Sequence, residues 1–215
     1  MPSSGSGRSP LTLRRLLGLD RSGGVPPQTR PGQPLHPWTI PNLVGYLRLA
    51  AVPVFVVWAL SGSEEPPLGA ALLYWGIAAG DYVDGLLARA TGQYSRLGAL
   101  LDPVVDRLTI LSGAAICWHF ELLPRWALAA LAARELITLI LARLALRQGQ
   151  ALEINWFGRL AVFPIMGAIF WAMVFQGVVW DVLLIVGVAL ACFATVIYVR
   201  TGRRRLHATE PSTSA

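Results

Sequence analysis

The chain has 215 residues, 54% of them hydrophobic and only 14% charged, with a formal net charge of +6. A soluble domain of that length needs more charge to cover its surface, whereas several apolar runs here reach the roughly 20 residues that span a bilayer as helix. All 18 basic residues are arginine, which excludes a Walker-type phosphate loop and a Schiff-base lysine, since both need an ammonium group.

Residues 1–37 are rich in Pro, Gly, Ser and Arg without sustained periodicity, and are expected to form a disordered cytoplasmic arm. Their Arg- and Ser-rich, acid-poor start also fits an organellar transit peptide. Residues 38–200 carry six predicted spans, at 41–60, 68–90, 96–118, 124–146, 156–176 and 180–200. The loops "SGSEEPPLG" and "QGVVWD" contain no basic residue. Arg89 and Arg96 flank the second turn, Arg143 and Arg147 the fourth, and Arg200 to Arg205 close the last span. Positive charge gathers on the cytoplasmic side, so the alternation places both termini there. Residues 201–215, with Arg203, Arg204 and Arg205, are expected to be a basic, disordered tail. The expected fold class is all-α, a polytopic integral membrane protein with six transmembrane helices. Because the arginines cluster at helix ends and in the tails, the positive charge marks a membrane face and not a nucleic-acid partner. Cys117 and Cys192 stand isolated in apolar stretches and read as small hydrophobes.

The second and third spans carry Asp81, Asp84, Asp102 and Asp106. A charge at the middle of a spanning helix costs about 2.5–3.5 kcal/mol on insertion scales, so four need a reason. Asp81 and Asp84 lie about 60° apart around a helix, and Asp102 and Asp106 about 40° apart. In an antiparallel hairpin turning near Thr91 to Tyr94, both pairs fall about 15 Å from the cytoplasmic end. Two facing carboxylate pairs cannot all stay ionised without cations between them. Oxygen-only donors suit Mg2+ or Mn2+, and four carboxylates can hold two ions, the arrangement used for displacement at phosphorus. His36 and His207 lie in the arms and His119 at the opposite end of a span, so a general base must be a carboxylate.

Gly85 follows Asp84, and Gly98 sits one turn before Asp102. A mid-helix glycine costs about 1 kcal/mol relative to alanine, and beside the aspartates both read as room for a bulky ligand. Arg89, one turn past Gly85, could hold a phosphate or a base edge.

This stretch resembles the signature of the CDP-alcohol phosphotransferase family, D-x-x-D-G-x-x-A-R-x8-G-x3-D-x3-D, at Asp81, Asp84, Gly85, Ala88, Arg89, Gly98, Asp102 and Asp106. "TIPNLVGYLR" looks like the family's leading segment, with Gly45 where relatives often have Ser or Thr. The resemblance implies transfer of a phosphatidyl group from CDP-diacylglycerol to an alcohol, with release of CMP. It implies that Asp81, Asp84, Asp102 and Asp106 hold two divalent cations, Mg2+ or Mn2+, and that Asp106 takes the acceptor's proton. Asp81, Asp84, Gly85, Arg89 and Gly98 would contact the cytidine diphosphate. It also implies a homodimer.

Arg134 and Glu135 in "LAARELITLI", with Arg159 in "NWFGRLAVFP", are candidates for the acceptor site. Three buried or interfacial arginines favour glycerol 3-phosphate, a small anionic alcohol. "ARE" and "FGR" resemble phosphatidylglycerophosphate synthases, whereas "YSRLGALLDPVVDRL" looks closer to cardiolipin synthases, whose acceptor is phosphatidylglycerol. A transporter with an intramembrane carboxylate ion site is the reading from a different class. Ala, Leu, Val and Arg richness points to a bacterial inner membrane, with the site facing the cytoplasm.

Overall fold

A computed structural model describes residues 36–147 and 156–208. Among the described residues the secondary structure is helical, with no strand. The helices are α1 (Ile40–Ala59), α2 (Leu68–Thr91), α3 (Arg96–His119), α4 (Arg125–Arg147), α5 (Trp156–Val174) and α6 (Val178–Ala208). The first five match the predicted spans to within two residues at each end. The sixth differs: it continues past Arg200 to Ala208, so residues 201–208 are helical where a disordered tail is expected. Arginine is a good helix former, so the run Arg203 to Arg205 does not stop the helix. Residues 1–35 of the N-terminal arm and 209–215 of the tail lie outside the described residues.

The helix ends have local causes. The Asn42 amide donates to Thr39 Oγ1 at 3.4 Å, and the Gly98 amide donates to Ser95 Oγ at 2.9 Å. Thr39 and Ser95 thus cap α1 and α3, each satisfying an otherwise orphan donor. Beyond α2 the chain reverses at Gly92, whose φ of +67° is open to glycine at little cost.

Among the described residues two stretches are apolar and long enough to cross a membrane, Ile40–Ala59 and Val178–Ile197. Helices α2 to α4 are interrupted by charge: Asp81 and Asp84 in α2, Asp102, Asp106 and Arg107 in α3, Arg134 and Glu135 in α4; the apolar stretch of α5, Ala161–Val174, is shorter.

Among the described residues the chain packs as two compact units, one of residues 36–53 with Gly76–Asp106, the other of Val54–Trp75 with residues 107–147 and 156–208. In the first, Gly45 lets α1 approach α3, because a Cβ there would lie 2.9 Å from Leu101 Cδ2. The second holds a core of Phe55, Tyr74, Ile116, Leu128, Leu131, Ile165, Ile169 and Leu184, all fully buried. Phe55 and Tyr74 meet with ring centroids 5.3 Å apart. Cys117 is buried there and donates to the Ile169 carbonyl at 3.8 Å, as a small hydrophobe with a weak donor does.

Gly187 brings α6 close against α5. A Cβ at 187 would stand 2.7 Å from Ile165 Cγ1 and 3.2 Å from the Ile165 backbone nitrogen, and backbone cannot swing aside. Gly187→Val should therefore lower the thermal midpoint in detergent by the equivalent of about 1–3 kcal/mol. Gly76→Ala, where nothing lies within 4 Å, should match or exceed the wild type in the same melt.

Candidate active site

Three of the four aspartates converge on one cation, and that cation is Arg48 of α1. Its Nη1 donates to Asp84 Oδ2 at 3.0 Å and to Asp81 Oδ1 at 3.4 Å. Its Nη2 donates to Asp106 Oδ1 at 2.9 Å. Its Nε donates to the Ile77 carbonyl of α2 at 2.9 Å. The side chain is only 4% exposed, and Asp84 is buried with it. A guanidinium suits this position because its planar fork offers several fixed donors and stays charged. Asp81 lies nearer the surface, and Asp102, half-buried, lies within the electrostatic reach of Arg48 but is not hydrogen-bonded to it.

Glycine makes the space. A Cβ at Gly80 would lie 2.7 Å from Arg48 Cδ and 3.1 Å from its Nε. A Cβ at Gly85 would lie 3.3 Å from Arg89 Nη1, so Arg89 folds back over Gly85. A Cβ at Gly98 would lie 2.7 Å from Asn42 Oδ1. Gly98 therefore has a packing reason within the protein itself.

Asn42 is buried and fully engaged. Its Nδ2 donates to the His36 and Pro37 carbonyls at 3.0 and 3.2 Å, and its Oδ1 accepts from Ser95 Oγ at 2.8 Å. One carboxamide thus ties the segment before α1 to the cap of α3. Nearby, the Ile40 amide donates to Gln93 Oε1 at 3.1 Å.

The donor chemistry fits hard divalent ions, since the cluster is all oxygen and three carboxylates from two helices already point at one positive charge. As the side chains stand around Arg48, no group of three or more His, Cys, Asp or Glu among the described residues is set to hold a metal ion.

The expected acceptor residues divide. In the second unit, Glu135 is buried and contacts Arg134 through Oε1. Arg107 Nη1 donates to the Glu135 carbonyl at 3.2 Å and lies 3.6 Å from Oε2. Two arginines thus share one buried acid, while Arg134 Nε is buried with no hydrogen-bond partner. Arg159 lies in α5, but its side chain is outside the described residues.

Arg48, Asn42, Gly80, Ser95 and Arg107 are not among the residues singled out in the sequence. The available signal was an arginine inside the apolar run "LVGYLRLAAV", since a charge at membrane depth marks a functional site by default.

The sequence model of the CDP-alcohol phosphatidyltransferase family matches residues 38–196. The cardiolipin synthase (CMP-forming) of Streptomyces coelicolor is 38% identical over 167 residues, 74% of this chain and 77% of the relative. The CDP-diacylglycerol–glycerol-3-phosphate 3-phosphatidyltransferase of Bacillus subtilis is 27% identical over 135 residues, 57% of this chain and 70% of the relative. A protein of that same name from Shigella flexneri is 29% identical over 167 residues, 74% of this chain and 88% of the relative.

Gly98→Ala should push the Asn42 carboxamide off Ser95, leaving buried polar groups unsatisfied. The expected loss is about 1–3 kcal/mol, read as a lower thermal midpoint in detergent.

Proposed function

The chain belongs to the CDP-alcohol phosphatidyltransferase family, and from that premise we propose that it transfers the phosphatidyl group of CDP-diacylglycerol to phosphatidylglycerol, forming cardiolipin and CMP. Membership in a family of transferases sets the transporter reading aside. The observation that carries the choice of acceptor is the state of Glu135. Arg107 and Arg134 share its carboxylate, so the group keeps one formal positive charge beyond balance. That surplus suits the single charge of a phosphodiester better than the dianion of glycerol 3-phosphate. The higher identity to the Streptomyces coelicolor cardiolipin synthase supports the same acceptor. Glycerol 3-phosphate is the second reading, favoured by the unpartnered, buried Arg134 Nε and by the Bacillus subtilis relative.

In this reading Asp81, Asp84, Asp102 and Asp106 would hold two Mg2+ or Mn2+ ions, which would supply Lewis-acid polarisation of the pyrophosphate oxygens. Gly85 and Arg89, with Asp81 and Asp84, bind the cytidine diphosphate, and Gly98 keeps α3 close to Asn42 beside them. The acceptor hydroxyl oxygen bonds to the phosphorus that carries diacylglycerol, and the bond from that phosphorus to the CMP oxygen breaks. The hydroxyl proton passes to the Asp106 carboxylate, and CMP leaves with the electron pair.

All six helices cross the bilayer in this reading, with both termini and the site on the cytoplasmic side of a bacterial inner membrane. Support comes from the arginines at alternate turns and from outward apolar side chains, among them Val57, Phe163 and Val178 at 72%, 78% and 72% exposed. The homodimer implied by the resemblance is kept as part of the reading.

Purified protein in detergent, given CDP-diacylglycerol and Mg2+ or Mn2+, should release CMP with phosphatidylglycerol and stop on addition of EDTA. Release with glycerol 3-phosphate in its place would make the second reading the right one. Asp106→Asn should lower kcat by about 100-fold or more while still binding CDP-diacylglycerol. Near-wild-type turnover would remove Asp106 from the role of base.

A further inference from the structure

We propose that Arg48 is a built-in counter-ion of the aspartate cluster, holding Asp81, Asp84 and Asp106 when no metal is bound and competing with divalent cations for those three carboxylates. The proposal rests on the reading that these aspartates bind divalent ions. It adds a residue that this reading does not require, and a direction in which that residue acts.

The geometry is that of a made site. Arg48 is fixed at four acceptors: Ile77 O at 2.9 Å, Asp84 at 3.0 Å, Asp81 at 3.4 Å and Asp106 at 2.9 Å. Its stem passes where a side chain at residue 80 would stand, 2.7 Å from the missing Cβ. A chance ion pair at a helix interface needs one carboxylate, and this arginine takes three from two helices while staying 4% exposed.

The charges give the competition its sign. Four carboxylates and one guanidinium leave a formal charge of minus three. Two divalent ions would balance the four carboxylates by themselves, so a retained guanidinium would leave an excess of positive charge in a poorly screened place. The Nη1 and Nη2 donors of Arg48 also occupy acceptor positions on carboxylate oxygens a metal would use. Ion loading therefore requires Arg48 to give up its carboxylates.

The test is metal affinity and metal-free stability, measured on the full chain in detergent. Wild type, Arg48→Gln and Arg48→Lys would be titrated with Mn2+, free Mn2+ being read by electron paramagnetic resonance. Each would also be melted in EDTA and in Mg2+. Arg48→Gln should bind Mn2+ about tenfold or more tightly than wild type, as expected when a cation within about 4 Å is removed. It should melt at lower temperature in EDTA and gain more from Mg2+ than wild type gains. Arg48→Lys, whose ammonium cannot bridge three carboxylates and a carbonyl together, should fall between the two. Should Arg48→Gln fail to fold, Arg48→Lys decides by its affinity relative to wild type. Wild-type binding of Mn2+ with equal or weaker binding by the folded variants would overturn the competition and leave the metal reading standing. Absence of Mn2+ binding by the wild type would overturn both.

Discussion

Four carboxylates set into apolar helices cannot all carry charge unless positive charge stands among them, and in this protein part of that charge comes from its own chain. Arg48 joins α1 to α2 and α3 by hydrogen bonds to Asp81, Asp84, Asp106 and the Ile77 carbonyl. Removing either side of such a cluster leaves an uncompensated buried charge, which costs far more than the intact pairing contributes. The bare backbone at Gly80 follows from the same requirement, because any side chain there would meet the stem of Arg48.

Around the charged cluster sits a neutral one with a different task. Asn42 accepts from Ser95 and donates to two backbone carbonyls, and Ser95 in turn caps α3. This holds the start of α3, and with it the register in which Asp102 and Asp106 are presented. Gly98 is needed because the Asn42 carboxamide fills the space its side chain would take. The glycines of the signature thus serve two ends: Gly85 leaves room into which Arg89 folds, and Gly98 lets two helices approach.

The second unit shows how pairing alters what a basic residue can do. Three arginines in the sequence look like a site for a dianion. Glu135, shared by Arg107 and Arg134, offsets one such charge inside the protein. These three side chains together keep one surplus charge and one unsatisfied donor, Arg134 Nε. Counting charged residues along a helix overstates the field that a ligand meets, because it omits partners that only packing supplies.

Much of the molecule was legible in its sequence. Helices α1 to α5 could be placed from apolar runs punctuated by Pro, Gly and polar caps, because backbone groups in a long apolar segment must be satisfied within that segment. The aspartate signature was legible too, because fixed spacing on a helix fixes which side chains share a face. The extension of α6 to Ala208 was missed because its apolar run ends near Arg200, whereas helix propensity continues through the arginines. Hydropathy and motif spacing were enough to place α1 to α5, to show the family and to single out the four aspartates. Only the tertiary structure decided which cation the acids meet, what Gly80 and Gly98 make room for, and how far Glu135 neutralises its arginines. Each of these depends on contacts between residues that are distant in the chain, or on the space left where helices cross, and neither is recorded in local spacing.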